Sequence, residues 1–230
     1  MTENKSLKPS EIAAYIDHTY LKPDATSQTI EKLCKEAVQF GFYSVCVNGM
    51  WVARCRELLY GSNIRVAAVV GFPLGAMSAS AIASETAKAV EDGAAEIDMV
   101  LPIGSLLEGN QSIVEQHIAA VVAAAGKQTV VKVIMETGYL NDEQKRLACR
   151  ISEAAGAGFV KTSTGFGPGG ATEEDIRLMR ESVSAHIGVK ASGGVRDYET
   201  AVRMIEAGAT RIGTSSGPSI VQGAAGSESY

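Results

Sequence analysis

The sequence predicts an α/β protein folded as a single (β/α)8 TIM barrel. Eight short segments rich in β-branched residues alternate along the chain with amphipathic helical segments. The β segments are apolar throughout, which is typical of a parallel sheet buried on both faces. The 230 residues leave room for eight such units. Barrels of this class routinely form one domain of roughly 200–250 residues.

The predicted strands are spaced so that one helix fits between each pair. They lie at residues 15–19, 43–47, 64–70, 95–100, 129–135, 158–163, 189–194 and 211–214. Amphipathic helical stripes begin near residues 26, 48, 80, 112, 141, 172 and 197, with Asn48 as the expected cap of the second and the sixth running to about residue 186. Gly93, Gly156 and Gly208 each precede a strand and indicate helix ends at the floor of the barrel.

The ends of the chain differ in composition from the barrel. We expect one domain over residues 1–230, with a polar leader at 1–10 and a flexible, glycine- and serine-rich tail at 218–230. The leader lacks the apolar region of a signal peptide, and no run approaches the roughly 18 apolar residues of a membrane helix. The four cysteines form no C-x-x-C pair, which favours reduced thiols and a cytoplasmic protein.

The net charge and the spacing of the histidines limit the partners and metals that the protein is expected to bind. The formal net charge of −5 leaves no broad basic surface for nucleic acid or an anionic membrane, so neither partner is expected. His18, His117 and His186 share no metal-binding spacing, and His117 and His186 fall on predicted helices. We therefore expect no metal site and no cofactor.

Few charged residues lie on the predicted strands. Among them are Asp17, Glu96, Asp98, Lys132, Lys161, Lys190 and Arg211. Glu96 and Arg211 stand at strand starts, where a structural ion pair or an exposed position is expected. The three lysines lie on strands five, six and seven, flanked by apolar residues. Because neighbouring strands are about 4.8 Å apart, these lysines come within reach of one another.

Such lysines favour amine chemistry over a purely structural role. A buried lysine is costly unless it is paired or used, and pairing with carboxylates is the structural alternative. Burial and a neighbouring ammonium both lower a lysine pKa, which yields a neutral amine near pH 7. That amine attacks an aldehyde to form a Schiff base, with Asp98 as general acid and base through water. The pattern alone does not choose among Lys132, Lys161 and Lys190.

Glycine- and hydroxyl-rich loops follow strands six, seven and eight, at residues 162–165, 193–194 and 213–216. Barrels often bind phosphate in the loops after strands seven and eight. Glycine permits close backbone approach and hydroxyl groups add donors. The loops therefore predict a substrate that carries a phosphate group. Cys46 ends a strand, where it either lines the pocket or fills the core.

Eight short motifs occur in order along about residues 10–217. They are Ile-Asp-His-Thr at 16–19, Val-Cys-Val at 45–47, Gly-Phe-Pro-Leu-Gly at 71–75, Glu-Ile-Asp-Met-Val at 96–100, Lys-Val-Ile-Met-Glu-Thr at 132–137, Phe-Val-Lys-Thr-Ser-Thr-Gly-Phe at 159–166, Val-Lys-Ala-Ser-Gly-Gly at 189–194 and Gly-Thr-Ser-Ser at 213–216. This combination resembles the deoxyribose-phosphate aldolase family of class I aldolases, and the resemblance covers nearly the whole chain.

The resemblance implies a (β/α)8 barrel without metal or organic cofactor. It implies reversible cleavage of 2-deoxy-D-ribose 5-phosphate to D-glyceraldehyde 3-phosphate and acetaldehyde, in deoxyribose catabolism. A homodimer or homotetramer is the family-level expectation. Two alternatives stay open at this point. One is a Schiff-base aldolase for another phosphorylated sugar, and the other is a non-catalytic phosphosugar-binding barrel.

Roles follow from the resemblance motif by motif. It implies that Lys161 forms the Schiff base, that Lys190 perturbs it and takes part in proton transfer, and that Asp98 is the acid/base. Lys132 matches a lysine that holds the aspartate ionised, and Tyr230 matches a terminal tyrosine implicated in proton transfer. With the loop positions, the candidate substrate- and phosphate-binding residues are Asp17, Thr19, Cys46, Thr164, Gly165, Gly193, Gly194, Ser215 and Ser216.

Overall fold

Eight parallel strands close into a barrel in the computed structural model, which describes residues 7–224. The strands are β1 (Ile16–Tyr20), β2 (Ser44–Asn48), β3 (Arg65–Val70), β4 (Glu96–Val100), β5 (Val130–Ile134), β6 (Phe159–Lys161), β7 (Gly188–Ser192) and β8 (Arg211–Thr214). Each strand pairs with its sequence neighbours, and β8 pairs with β1 to close the sheet. The (β/α)8 fold predicted from the alternation is confirmed.

The helices pack around the strands in sequence order. They are α1 (Ser27–Phe40), α2 (Val52–Leu58), α3 (Ala79–Glu91), α4 (Ile103–Leu107), α5 (Gln111–Ala125), α6 (Asp142–Ala154), α7 (Glu173–Ser182), α8 (Tyr198–Glu206) and α9 (Gly217–Val221). Three 3₁₀ segments add to them, at Pro9–Tyr15, Gly49–Trp51 and Thr137–Tyr139. No helix among residues 7–224 is both long and apolar enough to cross a membrane.

Two short helices were not predicted from the sequence. The five-residue α4 follows Pro102, and its brevity leaves little apolar periodicity to detect. The helix α9 lies within the stretch expected to be a flexible tail, and its Ile220 is fully buried. Any flexible tail therefore begins later than residue 218.

Two expected helix ends were wrong. Asn48 does not cap α2, because its side-chain amide donates to the carbonyl of Leu21 (3.2 Å) and a 3₁₀ turn comes before the helix. The helix α7 ends at Ser182 rather than near residue 186. The backbone is extended at Val183, and the guanidinium of Arg180 donates to carbonyls of the following turn.

The predicted glycine stops at the floor of the barrel are confirmed. Gly93, Gly156 and Gly208 follow α3, α6 and α8 with φ of 108°, 90° and 117°. Each N–H donates to a carbonyl in the last turn of its helix at 3.0 Å. Side chains other than glycine rarely adopt this left-handed conformation, so these positions turn the chain sharply into β4, β6 and β8.

Alternation along the strands gives the barrel two kinds of core. Outward-facing residues such as Ile97, Val133 and Val189 pack against buried helix residues such as Ile118 and Ile176. The inward-facing positions of β4 to β8 instead include six charged residues, which are Glu96, Asp98, Lys132, Lys161, Lys190 and Arg211. Those of β1 to β3 are mostly small or apolar. The interior of the barrel is therefore divided into a charged side and an apolar side.

Candidate active site

Seven charged side chains fill the centre of the barrel, each at most 5% exposed. This buried charged cluster consists of Asp17, Glu96, Asp98, Lys132, Lys161, Lys190 and Arg211. All seven lie on strands, at positions where alternation points the side chain inward. The strand lysines and Asp98 are thus brought together as their spacing predicted.

Asp98 holds the three lysine ammonium groups together. Its Oδ1 accepts from Lys132 Nζ at 2.6 Å, and its Oδ2 accepts from Lys161 Nζ and Lys190 Nζ at 2.8 Å each. Burial raises the pKa of this carboxyl, but the three lysine charges outweigh burial and hold the pKa well below its ordinary value. Asp98 is therefore an anion in the resting site.

The lower part of the cluster is an ion network towards the floor of the barrel. Asp17 accepts from Arg211 at 2.7 Å and from the Ser44 hydroxyl at 2.6 Å, and its other oxygen accepts from Lys190. Glu96 lies 2.6 Å from Lys132 and 3.1 Å from Arg211, which confirms the structural ion pair expected at the strand starts. Asp17, a candidate for substrate binding, has both oxygens occupied by protein donors.

Lys161 differs from the other two lysines in the number of its carboxylate partners. Lys132 contacts Asp98 and Glu96, and Lys190 contacts Asp98 and Asp17. Within residues 7–224, the carboxylate partner of Lys161 is only the Asp98 oxygen that Lys190 also uses. The cluster holds four cationic side chains and three carboxylates, so it is balanced when Lys161 is neutral.

The number of carboxylate partners also determines the direction in which the pKa of each lysine shifts. Burial lowers the pKa of Lys161; Asp98 opposes this effect, and Lys190 adds to it. Burial also acts on Lys132 and Lys190, but their carboxylate partners outweigh it and raise both pKa values. Lys161 is thus the amine that loses its proton most easily, a choice that the sequence pattern left open.

Lys161 also lies nearer the open end of the barrel than Lys132 does. On β5, Ile134 pairs with Lys161 and Lys132 pairs with Phe159, so Lys161 stands two residues higher than Lys132, about 6.6 Å along the strands. Lys190 extends across β8 at Gly213, where an added Cβ would lie 2.9 Å from Lys190 Cε. The absence of a side chain at residue 213 leaves the room that Lys190 occupies.

An apolar wall faces the lysines from the β1–β3 side. It consists of Leu21, Cys46, Ala67 and Val69, with Phe72 packed against it. Burial raises the pKa of the Cys46 thiol and the Asp98 charge adds to this effect, so the side chain remains an uncharged thiol. Thr19 lies level with Cys46, and its hydroxyl donates to the Asp17 carbonyl at 2.8 Å.

The loops after β6, β7 and β8 approach one another at the rim. Gly165, Gly193 and Gly194 have φ of 87°, 84° and 81°. Within residues 7–224, the buried hydroxyls of Ser163 and Ser216 have no hydrogen-bond partner. Unpartnered buried donors are costly, which makes these two hydroxyls available for a bound anion.

Ser215 stands beside these loops and is half-buried. Ser215 borders a cavity of about 380 Å³, which is also lined by Thr19, other residues of β1 and residues of α1. Ser216 is buried, and its N–H donates to the Thr214 hydroxyl at 2.9 Å. The predicted phosphate loops are therefore adjacent in space, while Tyr230 lies outside the described residues.

Thr164 has a partner that sequence reasoning missed. Its N–H donates to both carboxylate oxygens of Glu136 at 3.3 Å, and its hydroxyl donates to the same carboxylate. Burial raises the pKa of Glu136, while the bonds from Thr164 and the charge of Lys161 oppose this effect. Alternation placed Glu136 on the face of Lys132, but no feature of its motif indicated a partner in the next loop.

The comparisons with known proteins agree with this geometry. The model of the DeoC/LacD family of aldolases matches residues 11–223. Deoxyribose-phosphate aldolase 1 of Bacillus licheniformis is 58% identical over 220 residues, 96% of this chain and 99% of that protein. Deoxyribose-phosphate aldolase of Brevibacillus brevis is 60% identical over 210 residues, 91% of this chain and 95% of that protein.

A solved structure shows the same arrangement of the chain. The deoxyribose phosphate aldolase from Aeropyrum pernix, described as a tetramer, superposes with a TM-score of 0.87 at 32% identity. The match covers 94% of this chain and 91% of that chain. The family match spans every strand of the barrel and all seven members of the buried charged cluster. The chain belongs to the DeoC/LacD family of aldolases.

Proposed function

We propose that the chain is a class I deoxyribose-phosphate aldolase, which reversibly cleaves 2-deoxy-D-ribose 5-phosphate to D-glyceraldehyde 3-phosphate and acetaldehyde. The observation that carries the proposal is Lys161, a buried amine whose one carboxylate contact in the described part of the chain is shared with Lys190. The names of the relatives support the same reaction. We propose Lys161 as the Schiff-base residue.

Cleavage begins when the neutral amine of Lys161 attacks the C1 aldehyde of the open-chain sugar. Loss of water gives an iminium ion at C1. The C3 hydroxyl then loses its proton, the C2–C3 bond breaks, and its electron pair moves towards the iminium nitrogen to give an enamine. D-Glyceraldehyde 3-phosphate leaves. Protonation of C2 and hydrolysis of the new iminium release acetaldehyde and restore Lys161.

The neighbours of Lys161 have separate roles in this scheme. Burial keeps the pKa of Lys161 low and the charge of Lys190 adds to this effect, while Asp98 moves protons to and from the sugar through water. Lys132 holds Asp98 ionised at 2.6 Å.

The phosphate binds in the loops after β6, β7 and β8. The hydroxyls of Ser163 and Ser216 supply donors, and Gly193 and Gly194 permit close approach of the backbone. The two-carbon acetaldehyde fragment, which carries no hydroxyl, lies against the apolar wall at Cys46. Thr164 contributes through the shape of its loop, since its N–H and hydroxyl already bond to Glu136.

Three further proposals concern the protein as a whole. We propose one (β/α)8 domain, supported by the closed barrel over β1 to β8. We propose a homodimer or homotetramer, supported by the tetramer described for the relative from Aeropyrum pernix. A cytoplasmic location follows from the substrate, a phosphorylated sugar, and from the four free cysteines.

Purified protein tests the reaction directly. Incubation with 2-deoxy-D-ribose 5-phosphate is expected to release acetaldehyde, measured by coupled reduction with alcohol dehydrogenase and NADH. In the reverse direction, acetaldehyde as donor with glyceraldehyde 3-phosphate is expected to give the five-carbon product. Cleavage of another phosphorylated sugar but not of this one would favour the alternative aldolase. Absence of any aldol reaction would contradict the proposal.

A further inference from the structure

Glu136 has a backbone conformation that its residue type disfavours. Its φ is 53° and its ψ is 63°, and it is the sole non-glycine residue with positive φ among residues 7–224. Glycine or asparagine adopts this left-handed region at lower cost than glutamate. The strain lies at the rim of the candidate site, directly after β5, where strained backbone often accompanies a function.

The contacts of the Glu136 side chain explain why a glutamate occupies this strained backbone position. Glu136 is 2% exposed, and its carboxylate accepts both the N–H and the hydroxyl of Thr164. The carboxylate also fills the space beside Gly167, where an added Cβ would lie 2.7 Å from the Glu136 Cδ. The loop of residues 164–167 follows the strand of Lys161. One carboxylate, on the residue two positions after the neighbouring strand β5, therefore holds this loop in place.

Further contacts connect Thr164 to the rim of the barrel above the lysines. The Thr164 hydroxyl accepts the N–H of Phe166 at 3.0 Å, which fixes a tight turn. Phe166 then contacts Phe72 edge-on, with ring centroids 5.4 Å apart. Phe72 packs on the apolar wall across the barrel. Glu136 therefore determines where the loop after β6 and its aromatic ring stand over the site.

We propose that Glu136 is a positioning residue for the phosphate-bearing half of the substrate, acting through Thr164 on the loop of residues 164–167. This inference rests on the proposed function, in which that loop is one of three that hold the phosphate. The donor half of the reaction needs Lys161 and a two-carbon aldehyde without phosphate. We therefore expect the loss of Glu136 to weaken use of the phosphorylated acceptor and to change Schiff-base formation with acetaldehyde less than twofold.

The variant Glu136→Gln tests this inference, because use of the phosphorylated sugar and Schiff-base formation with acetaldehyde can be measured separately. The amide retains the volume of the carboxylate, but it has no negative charge and its NH2 group replaces one of the two oxygens that accept from Thr164. We expect KM for 2-deoxy-D-ribose 5-phosphate to rise at least fivefold. The rate of borohydride trapping of acetaldehyde on Lys161 is expected to stay within twofold of wild type. Cleavage of unphosphorylated 2-deoxy-D-ribose is expected to change less than twofold. Glu143→Gln, at an exposed glutamate of α6, is the matched control.

A second variant keeps the inference falsifiable if Glu136→Gln folds poorly. Thr164→Val removes the hydroxyl partner and is expected to raise KM similarly, and the double variant is expected to lose no more than the worse single variant. Additive losses would show separate roles and overturn the inference. So would an unchanged KM in Glu136→Gln, or an equal loss of trapping and cleavage. A wild-type protein without a Lys161 adduct would instead refute the proposed function.

Discussion

Gly213 offers a test of how Lys190 controls Lys161, because a substitution there replaces none of the charged residues. An alanine Cβ at this position would lie 2.9 Å from Lys190 Cε and 3.0 Å from Ser192 Cβ. Ordinary carbon contacts lie at about 3.5–4.0 Å, so Lys190 must move by roughly 0.7 Å. We predict that Gly213→Ala weakens activity through this displacement.

The magnitude follows from the contacts of the Lys190 ammonium. Lengthening its 2.8 Å contact with Asp98 by that amount weakens the attraction by about 1 kcal/mol at an effective dielectric constant of about 20. Overpacking adds about 1–3 kcal/mol of destabilisation. For a chain of this size each 1 kcal/mol lowers Tm by about 2–4 °C. The sum is about 2–4 kcal/mol, so we expect Tm to fall by about 4–16 °C.

The direction in which the pH profile of kcat/KM shifts is the decisive result. Lys190 lowers the pKa of Lys161, so a displaced Lys190 lets that pKa rise. The amine then becomes protonated at a higher pH, and the acid limb of kcat/KM moves upward. Steady-state cleavage between pH 5 and 9 measures this shift. Gly104→Ala, at an exposed position with open space around the added Cβ, is the control. An acid limb at the wild-type pH would refute the reasoning.

Three other predictions concern the same cluster. Lys161→Ala is expected to abolish cleavage, while circular dichroism shows the fold unchanged; a fully active variant would reject the assignment. Lys132→Met leaves Asp98 and Glu96 short of a partner and should lower the free energy of unfolding by about 3–5 kcal/mol in urea titrations, and a loss below 1 kcal/mol would contradict this. The pKa of Asp17 lies below its unfolded value, so its stabilisation is complete above about pH 4 and is lost as pH falls further. Asp17→Asn should therefore show a shallower decline of stability from pH 4 to 2 than wild type, and parallel curves would count against it.

The spacing of residues along strands was enough to predict the barrel and the meeting of the lysines. Period-two alternation placed Lys132, Lys161 and Lys190 on inward faces of consecutive strands, and the register of a parallel sheet brought them together. For Glu96 and Arg211 the strand starts predicted either a structural ion pair or an exposed position, and the structure has the ion pair. These features depend on local periodicity, which a single sequence records well.

Features that depend on side-chain partners were beyond the sequence. The choice of Lys161 depends on how many carboxylates each ammonium contacts, and that number is set by the barrel closure that brings Asp17 beside Lys190. The engagement of Thr164 by Glu136 joins the ends of two strands through side chains. Asn48 illustrates the same limit, since it looked like a helix cap but donates to a carbonyl after β1.

The central claim is that Lys161 is the amine that forms the Schiff base. Incubation with acetaldehyde and sodium borohydride, followed by peptide mass spectrometry, tests it most directly. We predict an adduct of two carbons on the peptide that contains Lys161, and none on the peptides of Lys132 and Lys190. The adduct is expected to be absent from Lys161→Ala. An adduct on either neighbouring lysine, or on no lysine at all, would contradict the account.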